Sequence, residues 1–310
     1  MKFMPEGCLI ETEHNILRTS NIFALSEASK SGDILEGRAI ICDAEHNLIV
    51  ALGDGIRGII PREEGAIGIK DGSTKDIAII SRVNKPVCFI VTGFDTIDGH
   101  VYPILSRAMA QQRCRDSFHS KLDRGDIIDA KVTHMENFGC FVDIGCGICS
   151  MIPIDAISVS RISHPRDRFK IGQDIRVVVK DVEPSGRILL THKELLGSWE
   201  QNAAMFCAGE TVAGIVRSVE PYGAFIELAP NLAGLAEPRE EVTCGQQAGV
   251  YIKSLIPQKM KVKLIIVDSF PAQYPTAPIK YFYTGNHIDE WIYSPENCGK
   301  VIQSRFESRF

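Results

Sequence analysis

No stretch of this sequence is apolar and long enough to serve as a signal peptide or membrane span, since Met1-Lys2-Phe3-Met4 runs at once into Pro5-Glu6-Gly7. A cytoplasmic protein without membrane contact is expected. Basic charge is short too: 34 Lys and Arg stand against 39 Asp and Glu, a formal net charge of −5. That balance excludes a protein that coats nucleic acid by bulk charge, so any nucleic-acid site has to be local. The ten cysteines have no framework spacing and point to reduced, buried thiols rather than disulfides. Carboxylates are not clustered at metal spacing, the eight His are not paired for a metal, and no Ser or Cys stands in a nucleophile context. Neither catalysis, nor a metal, nor a cofactor is expected.

What is present is repetition. A chain of 310 residues, 45% of them hydrophobic, can bury two or three cores. Gly32-Asp33-Ile34-Leu35-Glu36-Gly37, Gly125-Asp126-Ile127-Ile128-Asp129-Ala130 and Gly209-Glu210-Thr211-Val212-Ala213-Gly214 each open with glycine and an acid, then alternate like strands. Second strands are predicted over 48–52, 141–144 and 225–228, third strands over 58–61, 150–153 and 234–237, and fourth strands over 86–91, 175–179 and 260–265. The closing strands are 102–106 and 187–191 in the first two repeats and 280–283 in the third. Five short strands per repeat solve the problem of exposed sheet edges by closing into a barrel. The fold class is therefore all-β, with three tandem five-stranded OB-type barrels joined by short helical linkers and preceded by a short helix.

Helical spacing with no proline marks 107–121 and 193–206, the latter carrying Leu195, Trp199 and Phe206, and a third short helix is predicted over 21–30 behind the possible cap Ser20. The implied division is an N-terminal arm over 1–31, barrel one over 32–110, a linker over 111–121, barrel two over 122–193 and a linker over 194–206. Barrel three then covers 207–284, with a loop insertion marked by Pro271, Pro275 and Pro278, and a C-terminal extension of unassigned fold covers 285–310.

The runs 131–145, from Lys131 through His134, Phe138-Gly139-Cys140-Phe141 to Gly145, and 214–228, from Gly214 through Tyr222-Gly223-Ala224-Phe225 to Leu228, resemble the signature of the ribosomal S-one RNA-binding domain family. With Gly186-Arg187-Ile188-Leu189-Leu190-Thr191 the likeness covers repeat two almost entirely, the first half of repeat three, and repeat one more weakly. The whole chain resembles a short, three-repeat form of a bacterial ribosomal protein that contacts messenger RNA on the small subunit. In that family two aromatics flanking Gly-x, a His on the third strand, an acid after strand four and an Arg on strand five form the RNA face. The resemblance assigns Phe138, Phe141, Glu183 and Arg187 in repeat two, where Pro153 replaces the His, and Tyr222, Phe225 and Asp268 in repeat three, where Glu237 replaces the His and Lys280 the Arg. Repeat one has no aromatics over 45–51.

The residue chemistry points the same way, because an aromatic on a barrel strand can stack on an unstacked base for roughly 1 to 3 kcal/mol. The alternative is that a strand aromatic is core; its recurrence in two repeats beside alternating Ile and Val favours the surface. Arg161, His164, Arg166, Arg168 and Lys170 crowd the loop before strand four of repeat two, where they can track phosphates. Lys259, Lys261 and Lys263 alternate with apolar residues, which places them on one strand face, either as phosphate contacts or as a solvated edge. Arg107, Arg113, Arg115, Lys121 and Arg124 can extend that track or line a solvated helix. Gly53-Asp54-Gly55-Ile56-Arg57-Gly58 spells a dinucleotide fingerprint, but Pro61 leaves no room for the helix it needs, so it is a barrel turn. Cys146-Gly147-Ile148-Cys149 lies in a strand turn and lacks the second ligand pair of a zinc site. The expected function is binding of single-stranded RNA, chiefly messenger RNA in translation, by a non-enzymatic monomer whose repeat one contacts the small ribosomal subunit. The competing reading is a protein-docking adaptor on the ribosome or decay machinery with little RNA affinity.

Overall fold

Alternation becomes register in the computed structural model, which describes residues 3–271 and 278–307. The first compact unit is Met1–Leu122 with Asp143–Cys149. Helix α1 (Glu13–Thr19) starts at Thr12, whose side chain accepts the Asn15 N–H, and α2 (Ile22–Ser31) starts at Asn21, one residue beyond the expected Ser20. Gly32, in the left-handed region at φ 67°, ends α2. Strands β1 (Leu35–Cys42), β2 (Leu48–Ala51) and β3 (Arg57–Ile60), a single turn α3 (Ile77–Ile80), then β4 (Pro86–Ile97) and β5 (His100–Ser106) follow, and α4 (Arg107–Ser117) closes the unit. The strands form a closed barrel in the order β1-β2-β3-β5-β4, with β4 returning to β1. Gly53–Gly55 is one 3-10 turn between β2 and β3, so the glycine fingerprint opens no α-helix.

The second unit is Asp123–Val142 with Ser150–Phe310. Barrel two is built from β6 (Ile127–Glu136), β7 (Gly139–Asp143), β8 (Cys149–Pro153), β9 (Asp174–Val182) and β10 (Ile188–Thr191). After α5 (Trp199–Ala203), barrel three is built from β11 (Thr211–Glu220), β12 (Gly223–Ala229), β13 (Leu232–Ala236), β14 (Gln247–Ile256) and β15 (Lys261–Phe270). Both are closed, and all three barrels share one order in which the third strand pairs parallel with the fifth.

Barrel three corrects two strand expectations. The fourth strand is Gln247–Ile256, so the alternating lysine segment is the fifth strand and closes the barrel itself. Lys259 sits outside it in the 3-10 turn Pro257–Lys259. Residues 280–283 form no barrel strand, and the insertion therefore follows the barrel instead of interrupting it; its Pro275 lies outside the described residues. The tail also has structure: β16 (Glu290–Ile292) pairs with β17 (Gln303–Arg305), while Ile288, Trp291, Tyr293 and Phe306 are buried with Leu195 and Trp199 in the core around barrel three. The segment over 193–206 is thus core as well as connection. Among the described residues the ten cysteines form no disulfide, and Cys88, Cys114, Cys140 and Cys146 are buried, but Cys149, Cys207 and Cys244 are exposed, so the expectation of buried thiols holds for only part of the set.

The parallel pairing explains two glycines. A Cβ on Gly58 would stand 2.5 Å from Leu105 Cδ1, and one on Gly234 would stand 2.6 Å from Leu264 Cδ1 and 3.0 Å from the Val262 carbonyl oxygen. Ser150 takes the matching place in barrel two and donates its hydroxyl to the Ile188 carbonyl at 2.5 Å. Gly234→Val is expected to lower the unfolding free energy of barrel three by about 1 to 3 kcal/mol through overpacking, read as a lower urea midpoint. An unchanged midpoint would show that the fifth strand is free to move aside.

The first unit holds three buried carboxylates, of which Glu6 and Asp143 lie near the buried guanidinium of Arg107. Glu36 Oε2 accepts the backbone N–H groups of Gly7, Leu9 and Ile10 at 2.9 to 3.0 Å. Arg107 grips Glu6 through Nε at 2.6 Å and Nη2 at 3.0 Å, and the Glu6 N–H donates to Asp143 at 2.7 Å. Burial works against the Glu6 charge, yet Arg107 holds that carboxyl below its usual range. Burial pushes Glu36 up to about 7, and burial with the Glu6 charge pushes Asp143 up to about 6. A carboxyl with a raised folded pKa contributes fully below its unfolded value and loses that contribution as pH rises through the folded one. Stability of this unit should accordingly fall between about pH 4.5 and pH 7. Glu36→Gln should remove its share of the fall, on the order of 3 kcal/mol, in urea melts across that window. The same pH dependence in wild type and variant would show Glu36 to be ionised in the folded chain.

Candidate nucleic-acid interface

Each of the second and third barrels places its aromatic pair on its first hairpin. In barrel three Glu220 pairs with Gly223, so Pro221 and Tyr222 form a two-residue loop and Phe225 stands opposite Ser218. Alternation buries Ala224 and Ile226 and turns Phe225 outward, while Tyr222 at the loop is 64% exposed. Barrel two repeats the plan: Cys140 and Val142 are buried, Phe141 is half-buried and Phe138 is 57% exposed. The two pairs have nearly the same geometry. Phe138 and Phe141 meet edge-to-face with centroids 6.0 Å apart at 89°, and Tyr222 and Phe225 with centroids 6.2 Å apart at 88°. One ring thus braces the other and leaves faces open for a planar partner.

The barrel surfaces carry more than the sequence reading assigned. His134 lies against Phe141, centroids 6.0 Å apart at 30°, and its Nε2 is 2.6 Å from Glu136 Oε1. Tyr251 is exposed on β14 opposite Ile265, whose side chain is also outward. The signal for His134 was available: a two-residue loop at Asn137-Phe138 puts it opposite Phe141, as Ser218 is opposite Phe225. Tyr251 could not be placed while β14 was read as a loop.

Cations divide into exposed and buried sets. In barrel two Met151 pairs parallel with Leu189, and Arg187 lies two residues before Leu189, exposed beside the turn in which the Glu183 N–H donates to the Arg187 carbonyl. In barrel three Leu235 pairs with Lys263, so register puts Lys261 where Arg187 stands. The place assigned to Lys280 by resemblance is therefore taken by Lys261. Phe225, Leu235 and Lys263 form one outward row across three neighbouring strands, roughly 10 Å from end to end at the usual strand spacing. Asp268 is not after strand four but near the end of β15, where its Oδ1 accepts the Gly249 N–H at 3.2 Å. Opposite Lys261, where barrel two has Glu183, barrel three has Ile256.

Arg166 is exposed in the one-turn Pro165–Asp167 helix, but Arg168 is not a surface residue. It is 6% exposed, with Nη2 2.5 Å from Glu227 Oε2 and Nε 3.3 Å from Ser158 Oγ. Arg217 shares Glu227 at 2.8 Å and reaches Asp167 at 3.0 Å. Burial draws the Arg168 guanidinium below its usual range in spite of Glu227. A crowded basic loop looks like a phosphate track in sequence because the partner carboxylate is 59 residues away. The same correction applies to Arg107, held by Glu6; to Arg113, which donates to the Gly32 carbonyl; and to Arg124, 2.9 Å from Asp181. Among the described residues no group of three or more His, Cys, Asp or Glu is placed to hold a metal ion.

Two closed barrels with matching aromatic hairpins and cations on the closing strand define an OB-type nucleic-acid-binding class, and the S1 RNA binding domain model matches residues 121–193. The chain is 30% identical over 282 residues to small ribosomal subunit protein bS1 of Staphylococcus aureus, covering 86% of this chain and 69% of that protein. It is 32% identical over 187 residues to the bS1 protein of Staphylococcus haemolyticus, covering 55% of this chain and 47% of that one. The chain belongs to the bS1 family of small ribosomal subunit proteins. These relatives are small ribosomal subunit proteins. A solved multidomain protein with nucleic acid binding domains from Streptococcus pneumoniae aligns with 76% of this chain and 74% of its own at 15% identity, with a TM-score of 0.25.

Arg168→Ala should cost about 3 kcal/mol, the low end for a broken buried ion pair because Arg217 still holds Glu227. It should leave the salt dependence of RNA binding unchanged. A variant of wild-type stability with a flatter salt slope would return Arg168 to the phosphate contacts.

Proposed function

We propose that this chain binds single-stranded RNA, messenger RNA in translation, through the outer surfaces of its second and third barrels. The repeated edge-to-face pair at each first hairpin carries the reading. Buried rings would serve a core as well, but Phe138 and Tyr222 stand largely in solvent, where an aromatic ring is useful chiefly to a partner. Phe138, Phe141, Tyr222 and Phe225 stack on bases, and Arg187, Arg166, Lys261 and Lys263 steady phosphates. Glu183 and Asp268 border these surfaces as polar contacts. Repeat one, which lacks the aromatic pair and ties Asp43 to Asn47 and His46 to Asp76, is assigned to contact with the small ribosomal subunit. The protein acts as a cytoplasmic monomer without a cofactor or metal.

Stacking and phosphate contact differ in salt response, and that separates them experimentally. Replacing Phe138 and Phe141 together by Ala should cost roughly 2 to 4 kcal/mol in poly-U affinity with the salt slope unchanged. Lys261→Ala or Arg187→Ala should flatten the slope of log affinity against log salt by about 0.7 each. A folded double aromatic variant that binds poly-U like wild type would overturn the stacking surface and favour a docking adaptor.

A further inference from the structure

The second unit contains a cavity of about 460 Å³ that the aromatic surfaces do not use. That volume falls within the roughly 300 to 1,000 Å³ of small-molecule sites. Its apolar lining includes Ile215, Leu228, Ile279 and Phe282, and the basic loop of 166–168 borders it. Four cations line it, Arg166, Arg168, Arg217 and Lys280, against two carboxylates, Asp167 and Glu227. The carboxylates are consumed by Arg168 and Arg217. Arg166 has no carboxylate partner among the described residues. Lys280 rests on Met205 Sδ at 3.3 Å and over the Phe282 ring at 4.8 Å, again without an acid. Two positive charges are therefore uncompensated beside an apolar wall. His192, which also lines the cavity, adds none near neutral pH, because burial pushes its pKa down to about 4.

We propose that this cavity is a nucleotide site that takes a phosphomonoester, with the base against the apolar wall and the phosphate between Arg166 and Lys280. The charge selects the ester. A phosphomonoester carries about −1.5 to −2 at neutral pH and matches two free cations, whereas an internal phosphodiester of an RNA strand carries only about one negative charge. A free nucleoside monophosphate and the 5′-phosphorylated end of an RNA present the same group. The site shares Arg166 with the proposed phosphate contacts of the RNA surface but contains neither Phe138 nor Phe141, so loss of stacking and loss of this site can be told apart.

The test is calorimetric titration of the full chain with uridine monophosphate, adenosine monophosphate and the corresponding nucleosides, followed by short oligonucleotides with 5′-phosphate or 5′-hydroxyl ends. The monophosphates should bind and the nucleosides should bind at least about tenfold more weakly. Arg166→Glu with Lys280→Glu, both exposed positions, should weaken monophosphate binding at least about tenfold, while Phe138→Ala with Phe141→Ala leaves it unchanged. A 5′-phosphate that strengthens oligonucleotide binding only in wild type identifies the RNA end as ligand; no effect of the end with monophosphate binding intact identifies the free nucleotide. No monophosphate binding, equal binding of nucleoside and monophosphate, or indifference to the charge reversal would each overturn the proposal.

Discussion

Closure of each barrel turns on the parallel pairing of its third strand with its fifth. At that seam the two backbones run side by side, and a large apolar residue of the fifth strand, Leu105 or Leu264, fills the space over its neighbour. The neighbour must be small, which is why Gly58 and Gly234 stand there and why Ser150, in barrel two, turns its hydroxyl to a backbone carbonyl. Once the seam is fixed, period two decides the facing of every strand around the ring. Phe141 and Phe225 point out because Val142 and Ile226 point in. The candidate RNA surface is thus a consequence of closure and not a feature added to it.

Residues close in sequence were legible, and residues brought together from afar were not. The aromatic hairpins could be read directly, since a two-residue loop and strict alternation are local and fix which ring stands where. The strand order of barrel three was misread because Met260 to Ile265 alternates more cleanly than Gln247–Ile256, whose glycine at 249 and outward Tyr251 weaken the pattern. Both segments are strands; only the pairing of β14 with β11 shows which comes fourth. The C-terminal tail was unassigned for a related reason. Trp291, Tyr293 and Phe306 are spaced irregularly because they fill gaps against Leu195 and Trp199, and gap-filling imposes no period.

The same limit governs charge. Sequence shows how many arginines crowd a loop but not which carboxylate each one meets. Arg168 meets Glu227 across 59 residues and Arg107 meets Glu6 across 101, separations that no local pattern betrays. Buried pairs of this kind add little net stability compared with apolar residues of the same shape, yet breaking one is costly, so they fix the arrangement of the segments that carry them.

That division reconciles an acidic chain with a nucleic-acid surface. Each buried pair removes one acid and one cation together and leaves the net charge of −5 as it was, so the field at the outer strands depends on where the remaining cations stand and not on the total. Exposed cations of the outer strands include Arg187 in barrel two and Lys261 with Lys263 in barrel three, each on or next to a closing strand. In the proposed function, a few cations placed by register near the aromatic pairs make a site whose affinity comes largely from stacking and only partly from counterion release. Stacking tolerates any base, because every base has a π face, while the small number of phosphate contacts keeps the attraction from spreading to every polyanion the chain meets. The proposed surface is therefore one for strands whose bases are already unstacked and not for duplexes, whose bases offer no face to Phe138 or Tyr222.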